Sequence, residues 1–268
     1  MPIRVETFER IEEAAQALSA NQSARFFGGG TLLMRGVNSG DQRFDTLIRV
    51  TDPAFREIQI QGDRITLGGG VTMAQILAHR DLAFLAGPAR AVGGPAVRNA
   101  ATVGGNLNVG SPFGDFTTAL LALGAEVQLS SQGGNSVSID DFLRDRSSAR
   151  QSIVSAVSLK RPQDQSSFRF LKVSRVKPKG ISLLSMAASI SRSPAGVRVA
   201  YGNMGPGPVR ATAVERALEG ASLDASGIAP ALAVAAEGLT PPTDPLATDW
   251  YRREVAPVHL KRLLLGAA

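Results

Sequence analysis

Three glycine clusters lie before residue 110: Gly28-Gly29-Gly30, Gly68-Gly69-Gly70 and Gly104-Gly105. Glycine weakens helix and strand interiors, so such clusters sit where the chain turns sharply or where two backbones come close. They cut the first part of the chain into short elements joined by glycine turns. Each cluster by itself reads first as a tight turn at a strand end. Successive N–H groups in such turns also form concave nests for anions. Two of the clusters, in "FFGGGTLL" and "TVGGN", would serve to hold a pyrophosphate if they faced each other, with no lysine needed. The spacing G-x-G-x-x-G is absent, so a Rossmann dinucleotide fold has no support; a P-loop G-x-x-x-x-G-K-S/T is absent too.

Between the clusters the periodicity predicts a helix over Glu9 to Ala20, with Ile11, Ala14, Ala15 and Leu18 on one face. "ARFFGGG" reads as a short strand ending in a turn, "TLLMRGV" as a short helix and "FDTLIRV" as a strand. "FREIQIQGDRITLGGG" predicts a hairpin, with Ile58 and Ile60 facing Ile65 and Leu67 across Gly62-Asp63. Thr72 followed by Gln75 is a capping-box pattern that opens the helix "MAQILAHRDL". "FTTALLALGA" is an apolar helix ending at Gly124. A second hairpin, "AEVQLSSQGGNSVSI", is predicted to turn at Gly133-Gly134-Asn135, and "SIVSAVSLKRP" is a strand stopped by Pro162. The polar, proline-containing "RPQDQSS" marks a domain boundary near residues 160 to 167. Beyond it, "FRFLKVS", "SLLSMAASISRS" and "GVRVAYGNM" predict three strands. "ATAVERALEG", "ASGIAPALAVAAEGL" and "DWYRREVAPVHLKRLLL" predict three helices, the pattern of an α+β domain.

With 268 residues the chain suits two domains, or one domain with a clear subdivision. A hydrophobic content of 44% and a charged content of 19% are those of an ordinary folded protein, and no apolar run is long enough for a membrane span. The N-terminus lacks the layout of a signal peptide, and the absence of cysteine removes disulfides, thiolate metal sites and cysteinyl clusters. A cytoplasmic location is the simplest expectation. The net charge of +6 allows nucleic acid, but the basic residues are scattered and aromatic stacking residues are scarce. The densest basic stretch, "RFLKVSRVKPK", reads as a solvated strand and loop. His79 and His259 have no metal-ligand spacing, and no G-x-S-x-G elbow marks a nucleophile. Side chains thus supply little chemistry of their own, and a bound cofactor would carry any reaction. Asp115 reads either as the N-cap of the apolar helix or as an acceptor for sugar hydroxyls. Asn106 reads as a turn residue.

Taken in order, these segments resemble one family, the FAD-binding medium subunit of the molybdenum hydroxylases (the xanthine dehydrogenase and carbon monoxide dehydrogenase group). "FFGGGTLLM" resembles its first flavin loop, A-G-G-T-D-L-L. "VRNAATVGGNLNVGSPFGDFTTALLALGA" resembles R-N-x-A-T-I-G-G-N-L followed by S-P-x-x-D and a Leu/Ala helix. "FLKVSRVKPKGISLLSMAA" resembles a later K-x-x-x-R segment. "YGNMGPGPVRATAVERALEG" and "DPLATDWYRREVAPVHLKRLL" resemble the C-terminal domain with its S-x-x-Y-R-R. Single motifs are weak, but five in the right order across nearly the whole chain are specific.

The resemblance implies an α+β fold. A two-lobed FAD-binding domain of the PCMH/vanillyl-alcohol-oxidase type spans 1–162, with lobes at about 1–55 and 56–162. A C-terminal domain of a three-stranded sheet with a helix bundle spans 165–268. It implies that Gly28, Gly29, Gly30, Thr31, Leu32 and Leu33 wrap the FAD pyrophosphate, with Thr102, Gly104, Gly105 and Asn106 forming the facing loop. Asp115 would hold ribityl or ribose hydroxyls, Lys172 would lie near the flavin, and Val92 and Val154 would pack close to the isoalloxazine. No catalytic and no metal-binding residue is implied. Gly28, Leu32 and Thr248 stand where alanine, aspartate and serine are usual in the family. Thr31 stands where related covalent flavoproteins carry histidine, which implies dissociable, non-covalent FAD. The implied partners are a large molybdopterin-binding subunit and a small [2Fe-2S] subunit, which hold the molybdenum cofactor and the clusters, together with an external electron acceptor. The alternative within the fold is a stand-alone FAD-dependent oxidoreductase.

Overall fold

The computed structural model describes residues 3–130, 136–146, 151–176, 180–190 and 196–266. The first lobe is a three-stranded parallel sheet. It comprises β1 (Arg4–Phe8), helix α1 (Ile11–Ala20), β2 (Ala24–Phe26), helix α2 (Leu33–Asn38) and β3 (Thr46–Val50). β3 lies in the middle, pairing Ile48 with Glu6 on one side and Phe26 on the other. The apolar face predicted for α1 buries Ala14, Ala15 and Leu18 against Ile48, Val50 and Phe55. The helix begins at Ile11, two residues later than the periodicity suggests, because Arg10 is extended and acts as the N-cap. Glu12 and Glu13 then occupy the first turn, where the helix dipole favours acids.

The second lobe is built on a five-stranded antiparallel sheet of order β4-β5-β8-β6-β7. Its first strands, β4 (Ile58–Gln61) and β5 (Arg64–Gly68), form the predicted hairpin, with Ile58 opposite Leu67 and Ile60 opposite Ile65. Four short helices follow: α3 (Met73–Ala78), α4 (Ala86–Ala91), α5 (Pro95–Ala100) and α6 (Val103–Leu107). The capping box at Thr72 and Gln75 is formed in both directions. α3 stops at Ala78 rather than running on to Leu82, and a 3-10 segment over Arg80–Leu85 continues the chain. Helix α7 (Asp115–Ala122) is buried along its whole length and ends before Gly124. The lobe closes with β6 (Glu126–Leu129), β7 (Ser136–Ser138), α8 (Ile139–Arg144) and β8 (Val154–Lys160). The predicted turn at Gly133-Gly134-Asn135 lies outside the described residues, as do residues 177–179 of the basic stretch.

The third sheet has four strands, not the three expected. β9 (Phe168–Val173), β10 (Leu184–Ile190) and β11 (Val197–Gly202) are the predicted ones, and β12 (Val209–Arg210) adds an edge in the order β12-β11-β10-β9. Two residues cannot display a period of two, so β12 leaves no trace in the sequence. Helices α9 (Thr212–Ala217), α10 (Ala229–Ala233) and α11 (Asp249–Leu265) cover this sheet, and their apolar residues form one core with Leu184, Met186 and Tyr201. α11 is anchored by Arg252, whose side chain is fully buried and pairs with Asp244 while its Nε donates to the Leu183 carbonyl. Burial works against the Asp244 carboxylate, yet hydrogen bonds from Arg252 and two amides prevail and hold its pKa below the usual value.

The second and third sheets share a core. Phe168, Ala187 and Ala200 pack in the same cluster as Phe116, Leu120 and Val157. Asp140 on α8 also pairs with Arg198 at 3.1 Å and with Arg210 at 3.7 Å. In the core of the third sheet the Tyr201 hydroxyl is buried with no hydrogen-bond partner among the described residues, and burial pushes its pKa well up. An unpaired buried hydroxyl contributes nothing that a ring edge would not. Tyr201→Phe is therefore expected to leave stability unchanged or raise it by up to about 1 kcal/mol. Chemical denaturation of the two proteins measures this directly, and a loss of more than that would mean the hydroxyl has a partner.

Candidate functional site

The three sheets surround one large cavity of about 1140 Å³. Ligand cavities commonly measure about 300–1,000 Å³, so this one suits a long ligand. The fourteen residues that the family resemblance implicates all line it: Gly28 to Leu33, Val92, Thr102, Gly104, Gly105, Asn106, Asp115, Val154 and Lys172.

The segment from Gly28 to Leu33 runs from the end of β2 into α2. Among the described residues, no hydrogen bond engages any of its six amides. Backbone donors left without a protein partner are paired with water or with a ligand. The loop is pressed against the end of α5. A Cβ on Gly29 would lie 1.7 Å from the Ala100 carbonyl oxygen, and one on Gly28 would lie 3.0 Å from Thr102 Oγ1. The two glycine turns predicted to face each other are thus in contact.

The second turn differs from its expected form. Its amides are already engaged within the chain: Val103 donates to Val71, Gly104 to Gly69 at 2.8 Å, and Asn106 to the Thr102 carbonyl at 3.0 Å. Gly105 donates to Thr102 Oγ1, so Thr102 caps α6. Asn106 is not a turn residue but a helical one, and its side-chain amide also donates to the Thr102 carbonyl. Of the two turns, the first therefore carries the unengaged amides, while the second contributes shape and side-chain oxygens. Gly104 allows close packing, since a Cβ there would approach the Gly69 oxygen at 3.1 Å and Val154 at 3.3 Å. The cluster at Gly68-Gly69-Gly70 is itself a packing feature, pressed on Phe55 and the Val154 carbonyl.

Asp115 is not the N-cap of α7. Gly114 takes that position in a left-handed conformation, φ +104°, which a side chain would resist. Asp115 is consequently turned towards the third sheet. One carboxylate oxygen pairs with Lys172 Nζ at 2.9 Å, and the other accepts from Ser182 Oγ at 2.6 Å. A cation in a nearly dry site outcompetes a backbone amide for a carboxylate. Lys172 also donates to the Ala91 carbonyl at 2.8 Å, which places the pair beside Val92. Two residues read separately from the sequence are thus one buried ion pair that joins the second lobe to the third sheet.

Sequence reasoning passed over Ser182. It stands inside the quoted segment "KGISLLSMAA", but only its position across from α7 marks it as a partner of Asp115. Arg25, Arg35 and Phe44 also line the cavity, with the Arg25 guanidinium over the Phe44 ring. Among the described residues no group of His, Cys, Asp or Glu is arranged to hold a metal, and no helix is long and apolar enough to cross a membrane.

Fold and cavity together define a chain with one large cleft between three sheets, lined by six unengaged backbone amides and a buried carboxylate–lysine pair. Residues 2–161 match the family described as the FAD binding domain in molybdopterin dehydrogenase, and residues 169–267 match the CO dehydrogenase flavoprotein C-terminal domain. The chain belongs to this molybdopterin dehydrogenase flavoprotein family: it is an oxidoreductase chain whose cofactor is FAD. It is 25% identical over 264 residues to the glyceraldehyde dehydrogenase medium chain of Sulfolobus acidocaldarius, covering 93% of this chain and 92% of that one. It is 29% identical over 211 residues to the nicotinate dehydrogenase FAD-subunit of Eubacterium barkeri, covering 73% and 71%. A chain of the CO dehydrogenase from Oligotropha carboxidovorans shares the fold, with a TM-score of 0.87 at 21% identity, covering 98% of this chain and 97% of that one.

Proposed function

We propose that this chain is the FAD-carrying electron-transfer subunit of a multi-subunit molybdenum hydroxylase or dehydrogenase. Its partners in this reading are a large molybdopterin-binding subunit and a small [2Fe-2S] subunit, and it delivers electrons to an external acceptor. Bound FAD supplies the chemistry, because a flavin exchanges electrons singly or in pairs and so joins one-electron centres to a two-electron acceptor. Residues 1–162 form the FAD-binding domain and 165–268 the C-terminal domain, with the cofactor between them. The cytoplasm is the compartment we assign, in keeping with a chain that has no cysteine.

One observation carries this reading: six unengaged amides share a cavity with a buried carboxylate–lysine pair. Gly28, Gly29, Gly30, Thr31, Leu32 and Leu33 hold the pyrophosphate with their N–H groups, as backbone nests do. Thr102, Gly104, Gly105 and Asn106 shape the opposite wall. Asp115 accepts hydroxyl hydrogen bonds with the lone pairs that Lys172 and Ser182 leave free. Lys172 places positive charge near the flavin, and Val92 and Val154 pack beside its ring. No side chain is required to give or take a proton, so we assign no catalytic residue. With threonine at position 31, the cofactor is held without a covalent bond.

The visible spectrum of the purified protein tests this, followed by that of the supernatant after acid precipitation. Flavin bands that pass into the supernatant, with the mass of FAD, are the expected result. A colourless chain that takes up no added FAD would end the cofactor reading. Flavin that stays with the precipitate would end the non-covalent assignment. Size-exclusion of the native complex decides the assembly: a flavoprotein that runs alone and turns over a substrate would replace the subunit role with that of a stand-alone oxidoreductase.

A further inference from the structure

Asn203 follows β11 and is, among the described residues, the one non-glycine residue with a left-handed backbone, φ +62°. It is 3% exposed and outside the cavity lining, yet its side chain touches two cavity walls. Its Oδ1 accepts from Ser111 Oγ at 2.6 Å. Its Nδ2 donates to the Pro112 carbonyl at 3.3 Å and to the Ser182 carbonyl. Pro112 belongs to the segment that leads into α7 and Asp115, and Ser182 is the residue that donates to Asp115.

From this geometry we infer that Asn203 is a positioning residue for the cofactor site. It fixes the second lobe's wall at 111–112 against the third sheet's wall at 182, and so sets the orientation of the Asp115 carboxylate. The inference rests on FAD occupying the cavity. The chemistry selects asparagine narrowly. A carboxamide has two N–H donors for two carbonyls and one oxygen for a hydroxyl. Asparagine also tolerates the left-handed region better than other residues with side chains. Aspartate would set a carboxylate against two carbonyl oxygens. Glycine would keep the backbone and lose all three bonds.

The pair Asn203→Gly and Asn203→Asp separates these effects. The full chain, with any co-purifying subunits retained, is freed of FAD and titrated with FAD while flavin absorbance and fluorescence are followed. N203G is expected to fold and to bind FAD roughly tenfold more weakly, with an altered flavin spectrum, and N203D to bind more weakly still. Val199→Ala, a core truncation on β11 opposite Ala188 that takes no part in these bonds, serves as the control. It is expected to lower the melting temperature without moving affinity or spectrum. N203G and N203D proteins that bind within about twofold of wild type, with the wild-type spectrum, would overturn the positioning role. So would a Val199→Ala protein whose FAD affinity falls as far as theirs. If the wild-type chain itself takes up no FAD, the cofactor reading falls, and the positioning role falls with it.

Discussion

Asp115→Ala is expected to strip most FAD from the protein and to destabilise the chain that remains. The carboxylate meets three demands at once: Lys172, Ser182 and, in our reading, the cofactor hydroxyls. Losing a hydrogen bond to a charged group costs about 1.5–3 kcal/mol, so FAD affinity should fall roughly 10- to 100-fold. The Lys172 ammonium is left behind with its side chain only 13% exposed and, among the described residues, only the Ala91 carbonyl for a partner. Breaking a buried pair from one side costs about 3–5 kcal/mol; the lower end applies here, because the cavity beside the lysine can admit water. The double variant Asp115→Ala, Lys172→Met separates the two effects. It should regain much of the stability, because no charge is stranded, and none of the FAD affinity. Flavin content, titration with FAD and thermal melting of the three proteins are the measurements. Undiminished flavin content in Asp115→Ala would remove Asp115 from the site.

Gly29→Ala is expected to have an effect of similar size by a steric route. A Cβ at this position lies 1.7 Å from the Ala100 carbonyl oxygen, which is backbone and cannot swing aside. The loop must lift off α5, and its six amides lift with it. Overpacking of this kind costs about 1–3 kcal/mol, and backbone against backbone belongs at the upper end. The larger consequence is for binding, because a nest works only when its N–H groups converge. FAD should be lost on purification. Gly28→Ala is the matched comparison: its Cβ would meet a threonine hydroxyl at 3.0 Å and the Phe26 ring at an ordinary 3.8 Å, both side chains, so it should lose far less. A Gly29→Ala protein that keeps FAD with wild-type affinity would show that the contact between the two turns does not shape the site.

Much of the fold was legible because it depends on local rules. The hairpin at Gly62-Asp63, the capping box at Thr72 and the apolar helix before Gly124 are each written in a short window of sequence. The elements that were missed or mis-bounded lacked such a signal. β12 is two residues long, α3 gives way to a 3-10 segment without a proline or glycine, and Arg10 is an unusual N-cap whose side chain makes no capping hydrogen bond. At the site, the order of the motifs was legible, and with it the cofactor. Whether an amide was free was not, since "TVGGN" looks as bare as "FFGGGT" until Val71 and Gly69 are seen accepting its hydrogen bonds.

The sequence by itself determined where the chain must turn, which faces are apolar, and which ordered set of motifs it carries. These follow from the chain's own backbone preferences and from spacing along it. Only the tertiary structure decided that Asp115 and Lys172 are one ion pair, that Ser182 completes it, and that Asn203 ties the walls around it. Lys172, Ser182 and Asn203 lie 57, 67 and 88 residues beyond Asp115 along the chain. Charge, donor and acceptor act over a few ångströms, so their pairing is set by which strands the sheets bring beside α7 and not by neighbours in sequence.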